Sequence, residues 1–215
     1  MKNVKKMLAV LICLSCVVLL YLFFQKAYVV EAEPLLQKPM KVSSLASIFG
    51  YAYKNPISEK SEVIVKGTPL AAFSGIIPLV LLIGWVNRWD SLKKDLWLHV
   101  LSIVGIIADF YLLGTLKDHA DKIADSLFGE ITQTSAGYSF ARIMLIVLAV
   151  LVITHAVVSF AVKPEIPEDS VVVSADGKTV KKKSSVKTLI TALSIIAIVI
   201  LLFMCLMGGM ISKSL

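Results

Sequence analysis

"WLHVLSIVGIIADFYLLGTL", residues 97–116, decides the fold, because it is long and apolar enough to cross a lipid bilayer as a helix. A hydrocarbon core of roughly 30 Å requires about 20 apolar residues in a helix. An imidazole and a carboxylate nevertheless lie in this stretch, His99 near one end and Asp109 well inside it. Such groups are costly in hydrocarbon, so they are expected to face the bundle interior and find partners there.

Four further apolar blocks resemble this one, and 57% of the 215 residues are hydrophobic against 17% charged. So much apolar chain leaves too little polar sequence to cover a soluble core. The sequence therefore predicts an all-α integral membrane protein with a bundle of about five transmembrane helices. A four-helix unit is followed by a C-terminal fifth helix. The five blocks cover about residues 7–24, 69–86, 97–115, 139–162 and 188–211.

The basic residues predict how the chain is oriented. With the N-terminus in the cytoplasm, 12 Lys and Arg fall in roughly 40 inner loop residues and nine in roughly 70 outer ones. This bias predicts a multi-pass protein of the cell (inner or plasma) membrane with the N-terminus inside and the C-terminus outside. Trp85, Trp89 and Trp97 bracket one inner loop as an interfacial aromatic belt would. Of the 22 basic residues only Arg88 and Arg142 are arginine, which favours a bacterium of low GC content.

Five segments follow along the chain. An uncleaved N-terminal anchor helix is preferred for the first one, although "MKNVKK" would also suit a signal peptide. The second mixes Pro-marked turns with short β-prone pieces and is expected to form a small extracytoplasmic cap of short β or irregular structure on the helices. The segments are the anchor 1–24, the outer loop 25–68, a three-helix membrane segment 69–162, a cytoplasmic Lys-rich linker 163–187 and a C-terminal transmembrane helix 188–215.

A short amphipathic outer helix is predicted over residues 116–129 within the three-helix segment. Its apolar positions recur at helical spacing and end near Gly129. The polar face carries Asp118, Asp121 and Asp125, with His119 beside them. A solvated helix face is the preferred interpretation over a metal site, because His119 is off the aspartate stripe and Lys122 intrudes.

The Lys-rich linker predicts a contact with anionic lipid head groups. Lys near an anionic membrane surface contributes roughly 1 kcal/mol each. Asp176-Gly177 between two β-prone runs in the same linker is also a hairpin signal. The lysines expected to contact lipid are Lys181, Lys182, Lys183 and Lys187.

Two charged residues are predicted to pair inside the membrane. Asp109 lies about 9 Å and Arg142 about 4.5 Å below the outer ends of neighbouring antiparallel spans, at 1.5 Å per residue. His99 and His155 also match in depth, about 24 Å down. One straight helix pair is unlikely to make both contacts, because His99 and Asp109 diverge by roughly 80° but His155 and Arg142 by roughly 140°. The Asp109–Arg142 contact is favoured, with His155 bonded to a carbonyl or a neighbouring hydroxyl.

Other sequence signals are weak. Pro78, with Gly75 one turn earlier, predicts a helix kink in the second span. No GxSxG, HExxH, Walker, GxGxxG or thioredoxin-like CxxC motif is found, so no catalytic residue, metal or cofactor is expected and the protein is not expected to be an enzyme. Nucleic acid is not an expected partner either, since the lysines flank spans and form no stripe with aromatic residues.

The predicted function is contact within the membrane. The protein is expected to act as an accessory, assembly, immunity or sensing component that meets the lipid bilayer and a membrane-protein partner or a second copy of itself. Two alternatives stay open. One is a small transporter or channel whose polar path uses Asp109, Arg142, His99 and His155, and the other is a membrane-embedded enzyme. Whether these four side chains share one cavity discriminates between the contact and transport readings.

Overall fold

In the part of the chain that the structure describes, four helices are long and apolar enough to cross a membrane. The computed structural model describes residues 2–32, 38–54, 60–88, 96–161, 190–191 and 193–203. The chain is mostly helical, which agrees with the predicted membrane bundle. The helices are α1 (Lys2–Phe23), α2 (Ser44–Phe49), α3 (Phe73–Arg88), α4 (Leu96–Leu127) and α5 (Ala136–Ala161), with a 3₁₀ turn at Pro69–Ala72 leading into α3.

The four spanning helices form a ring in which each packs against two neighbours. The order around the ring is α1, α3, α4, α5, and α5 returns to α1. Apolar side chains line the ring interior, among them Ile12 of α1, Trp85 of α3 and Leu145 of α5. Successive spanning helices run in opposite directions. One end of the bundle, which we call the base, therefore contains Arg88, Leu96 and Ala161.

At the opposite end the described residues form five strands: β1 (Tyr28–Glu31), β2 (Met40–Val42), β3 (Gly50–Lys54), β4 (Ser61–Lys66) and β5 (Glu130–Thr134). We call these strands and α2 the cap. One antiparallel sheet has the order β2-β1-β5, and β3 and β4 form a separate antiparallel pair. The first sheet joins both loops of this end, because β1 pairs across the chain with β5. The predicted cap is therefore structured, and it includes a strand from the second loop that the sequence did not predict.

The predicted outer helix over residues 116–129 is not a separate element. Residues 116–127 continue α4 without a break, so this helix has 32 residues. At 1.5 Å per residue it is about 48 Å long, about 18 Å more than a hydrocarbon core of about 30 Å. The buried positions Leu116, Ala120 and Ile123 extend the same inward face and pack under the cap. Phe128, at a positive φ of 51°, ends the helix before Gly129.

The described part of the predicted fifth span is the apolar helix Leu193–Phe203, which by itself is shorter than a membrane span requires. It packs on the outside of the ring, where Leu201 joins Phe23 and Ile76 in a second apolar cluster. Thr191 accepts a hydrogen bond of 3.2 Å from the Asn87 amide near the base. This segment therefore runs from the base toward the cap. The linker 163–187, with its hairpin signal and its four lipid-contact lysines, lies outside the described residues.

The aromatic belt predicted at the base needs a correction. Trp97 is 84% exposed, as a belt residue should be, but Trp85 is only 1% exposed and belongs to the bundle core. Trp89 lies outside the described residues. Trp85 is buried because its ring fills the space between α3, α4 and α5, as its contacts below show.

Candidate functional site

Helix α4 carries four polar residues on its buried face: His99, Ser102, Asp109 and His119. Buried polar groups must be hydrogen-bonded inside a membrane, because no water competes for them there. The four residues fall into three separate environments along the helix. A histidine pair lies near the base, a carboxyl lies in the middle, and a hydroxyl-rich cluster lies under the cap.

The histidine pair joins α4 to α5. His99 Nε2 and His155 Nδ1 are 3.0 Å apart, and the Ser159 hydroxyl lies 3.3 Å from the same His155 nitrogen. At most one of the two facing ring nitrogens can carry the proton of this bond. His155 thus does have a hydroxyl neighbour, as predicted, but its shorter contact is to the second imidazole. The structure brings together the two histidines that the sequence matched in depth.

Trp85 completes the environment of the pair. Its ring meets both imidazoles edge to face, with centroids 5.4 Å from His99 and 4.7 Å from His155. Its Nε1–H donates to Ser102 Oγ at 3.0 Å, and Ser102 donates onward to the Leu98 carbonyl at 2.7 Å. The indole is held by a hydrogen bond at one end and two aromatic contacts along its ring, so the pair is fixed between three helices.

A groove lies beside the pair on the outer surface between α4 and α5. Its volume is about 580 Å³, and His99 is the polar residue of its lining. The remaining lining is apolar: Val100, Ile103, Val104, Val152, Ile153, Ala156, Val157 and Phe160. In a bilayer such a surface meets lipid chains.

The predicted contact between Asp109 and Arg142 is not formed. Asp109 is 3% exposed and faces the bundle interior. Arg142 is exposed, and its guanidinium lies over the rings of Tyr138 at 4.9 Å and Phe110 at 5.8 Å, within the range of a cation–π contact. The reason is the rotation of each helix: Asp109 faces the bundle interior, whereas Arg142 lies at the outer edge of α5, where its guanidinium meets Phe110 of α4 instead.

Asp109 lines a small cavity instead. The cavity has a volume of about 20 Å³, and its polar lining consists of Asp109, Ser44 of α2 and Ser74 of α3. Ser74 already donates to the Ala71 carbonyl at 2.8 Å. The carboxyl is therefore placed where the membrane helices meet the cap, with two hydroxyl groups around the same space.

The third environment is a cluster under the cap, which the sequence did not predict. His119 Nδ1 lies 3.1 Å from Ser47 Oγ, and its Nε2 lies 3.3 Å from Thr68 Oγ1. Ser47 Oγ is also 2.9 Å from the Tyr51 hydroxyl, and that hydroxyl donates to the Ser43 carbonyl at 3.2 Å. Burial raises the pKa of Tyr51 above its usual value, so the phenol keeps the proton it donates. The cluster ties α4 to α2 and to the segment before α3.

The expected position of His119 on a solvated helix face is corrected by this cluster. His119 is 6% exposed, whereas Asp118 beside it is exposed. The physical reason is that α2 covers this side of α4, and the sequence pattern of α4 alone could not reveal that cover. The available signal was the run of hydroxyl residues Ser43, Ser47 and Tyr51, which the structure places at the N-cap of α2, within α2 and in β3.

A serine beside a histidine can be a nucleophile and its base. Ser47 is 0% exposed, however, and its two partners, Tyr51 and His119, are engaged in the hydrogen bonds given above. Among the described residues, a substrate carbonyl would have no path to Ser47 Oγ through this packing. The arrangement suits a structural clamp.

The second span contains the two residues predicted to kink it. Pro78 lies inside α3, is fully buried, and the helix continues past it to Arg88. Gly75 makes a close approach: a Cβ there would lie 3.0 Å from Leu201 and 3.4 Å from Phe23. Gly75 therefore serves packing between α3, α1 and the C-terminal helix.

The residues that the structure describes hold no group of three or more His, Cys, Asp or Glu side chains suited to a metal ion. Comparison with protein-family models, with curated proteins and with solved structures gives no match.

Proposed function

We propose that this multi-pass protein of the cell membrane acts by contact, as an accessory, assembly, immunity or sensing component that a partner protein recognises through the cap. In this proposal the N-terminus is cytoplasmic and the cap lies outside. The support for that orientation is the charge bias of the loops, together with the position of Arg88 at the base, away from the cap.

The proposal rests on the exposure of Phe128. This residue lies between α4 and β5, is 95% exposed, and has a positive backbone φ of 51°. The helix before it extends about 18 Å beyond a hydrocarbon core, so lipid chains cannot cover this ring. An exposed aromatic residue held at a fixed place in water is typical of the anchors that dominate protein interfaces.

The neighbouring strand offers main-chain groups to the same partner. Among the described strands β5 pairs only with β1, and four of its five residues are exposed. A free strand edge can accept an extended segment of another protein, with main-chain hydrogen bonds giving affinity and side-chain pockets giving specificity. Phe128 and β5 are adjacent in sequence and together form one surface, residues 128–134.

A small transporter or channel is the second candidate. The four side chains considered for a polar path do not share one cavity among the described residues: the histidines pair near the base, Asp109 faces the interior and Arg142 faces outward. This arrangement supports contact over transport. The cavity beside Asp109 is the observation that supports a transporter or channel as the second candidate.

Site-specific cross-linking in living cells tests the proposal. A photoreactive phenylalanine analogue replaces Phe128, and a matched control places it at Lys117, whose side chain on the same helix is 63% exposed. We expect a discrete protein adduct from position 128 and none from 117. Phe128→Ala should then reduce co-purification of the identified protein by about tenfold or more, which corresponds to about 1.4 kcal/mol. Equal adducts at both positions, or unchanged co-purification, would contradict the proposal.

A further inference from the structure

Two small cavities lie next to each other between Asp109 and the cap. The first, of about 20 Å³, contains Asp109, and the second, of about 10 Å³, is lined by Gln25, Lys26 and Tyr138 among others. The two share four lining residues, so a single layer of side chains separates them. The shared residues are Leu22, Ser44, Leu113 and Ala141.

The sizes of these cavities suit single water molecules. A buried water needs at least about 10–15 Å³ and two to four polar partners. The first cavity meets both conditions with the carboxyl of Asp109 and the hydroxyls of Ser44 and Ser74. The second is at the lower limit of volume, and it ends beside Lys26, which is exposed and donates to Gln133 at 3.1 Å. Water at the cap surface is therefore one narrow cavity away from the space around Asp109.

The side of Asp109 toward the base is closed in the described part of the chain. The inward face of α4 continues there with Ile106 and Gly105, both buried. A Cβ at Gly105 would lie 3.0 Å from Ile77, so α3 and α4 are in close contact at this level. The histidine pair lies beyond this apolar layer, 10 residues or about 15 Å along the helix. Polar access to Asp109 is thus one-sided.

The charges around Asp109 favour a proton as the bound species. Around the cavity of Asp109, α1 contributes apolar side chains, α3 and the cap contribute the hydroxyls of Ser74 and Ser44, and α5 contributes Ala141. Arg142 is directed outward, and Lys26 lies at the cap end of the second cavity. A carboxyl in hydrocarbon without a cation is least costly as the neutral acid. Ca²⁺ or Mg²⁺ would require about six or more oxygen ligands, and a cavity of about 20 Å³ with three polar side chains has no room for the waters that would complete the set.

We propose that Asp109 is a proton-binding site in exchange with water at the cap surface through these two cavities and closed toward the base. This site goes beyond the contact proposed above, and no residue that lines either cavity belongs to residues 128–134. Its proton moves between the Asp109 carboxyl and water in the cavity that also holds the hydroxyls of Ser44 and Ser74. The proton then passes to the second cavity and the cap surface.

Infrared spectroscopy of the full-length protein in lipid nanodiscs tests this site. The C=O stretching band of a protonated carboxylic acid that disappears in Asp109→Asn is assigned to Asp109. On transfer to D2O we expect that band to shift without unfolding. In Ala141→Val, which fills a wall common to both cavities, exchange should slow by about tenfold or more, because it then requires local opening. Ala149→Val is the matched control, since Ala149 is a partly buried residue of the same helix that lines neither cavity.

A second variant covers the case in which Ala141→Val does not fold. Ser44→Ala removes a hydroxyl from both cavities without adding volume, and it should also slow the exchange. Three results would overturn the proposal. First, no carboxylic acid band depends on Asp109. Second, the band does not exchange in the parent protein. Third, exchange in both variants is as fast as in the Ala149→Val control.

Discussion

The cluster under the cap predicts a measurable loss of stability when His119 is replaced. His119→Ala removes the hydrogen bonds to Ser47 and Thr68, of 3.1 and 3.3 Å, and leaves a cavity under α2. Two hydrogen bonds contribute about 1–3 kcal/mol, and a buried large-to-small change adds to this, so we expect a loss of about 2–4 kcal/mol. His119→Asn, whose amide can still reach Ser47 but not Thr68, should cost about half as much.

The protein contains its own reporter of unfolding. Cys13 and Cys16 are buried free thiols in α1 and should react with a thiol-specific fluorescent dye only when the bundle opens. Replacing Cys205 with Ser restricts the signal to these two groups. Denaturant titrations in a mild detergent, followed by this reaction, give the free energy of unfolding for each variant. Asp118→Ala is the control, because Asp118 is the exposed neighbour of His119 and should change stability by less than about 0.5 kcal/mol.

A double-mutant cycle then isolates the contact itself. Combining His119→Ala with Ser47→Ala should give a coupling free energy of about 1 kcal/mol, since the two side chains share one hydrogen bond. Limited proteolysis of the β3–β4 pair adds a local measure, because this pair follows α2 in the chain. Equal stability of His119→Ala and the Asp118→Ala control, or a coupling near zero, would refute the reasoning that this cluster holds the cap to α4.

Three further predictions concern other parts of the structure. His155→Ala leaves His99 without its 3.0 Å contact and should cost about 1–3 kcal/mol in the same titration, whereas Arg142→Ala, which loses only exposed ring contacts, should cost less than about 1 kcal/mol. In Gly129→Ala the new Cβ would clash with the Glu31 carbonyl oxygen, so β5 should separate from β1, with faster proteolysis of the second loop as the readout. Tags at the N-terminus and in residues 89–95 should report one side of the membrane and a tag in residues 55–59 the other; finding all three on one side would contradict the four-helix bundle.

The helices could be predicted from sequence because a bilayer imposes one simple requirement, about 20 apolar residues in a row. The strand β5 could not, because Glu130–Thr134 is mostly exposed and its strand character depends on pairing with β1, about 100 residues earlier. A polar five-residue segment with a distant partner carries little local signal.

The histidines and Asp109 of the candidate site were found from the sequence, but the hydroxyl groups around them were not, and the pairing was only partly predictable. Depth along a helix follows from counting residues, and it correctly matched His99 with His155. Which residues face each other depends on helix rotation. With His155 turned toward His99, Arg142 lies about 140° around α5 from His155 and reaches Phe110 rather than Asp109. His119 was assigned to solvent because nothing in α4 announces that α2 folds over it.

Because α4 is long, a small change of tilt at one end becomes a larger displacement at the other end. From His99, held by the pair near the base, to Leu127 there are 28 residues, or about 42 Å of helix. A tilt of about 10° around the histidine pair would carry the tip at Phe128 sideways by about 7 Å, with the length again taken from the rise per residue. One rigid rod therefore connects the packing of imidazoles near one membrane surface with an exposed ring well above the other surface. A small rearrangement at the base would therefore move a partner bound at Phe128 by more than the diameter of an atom.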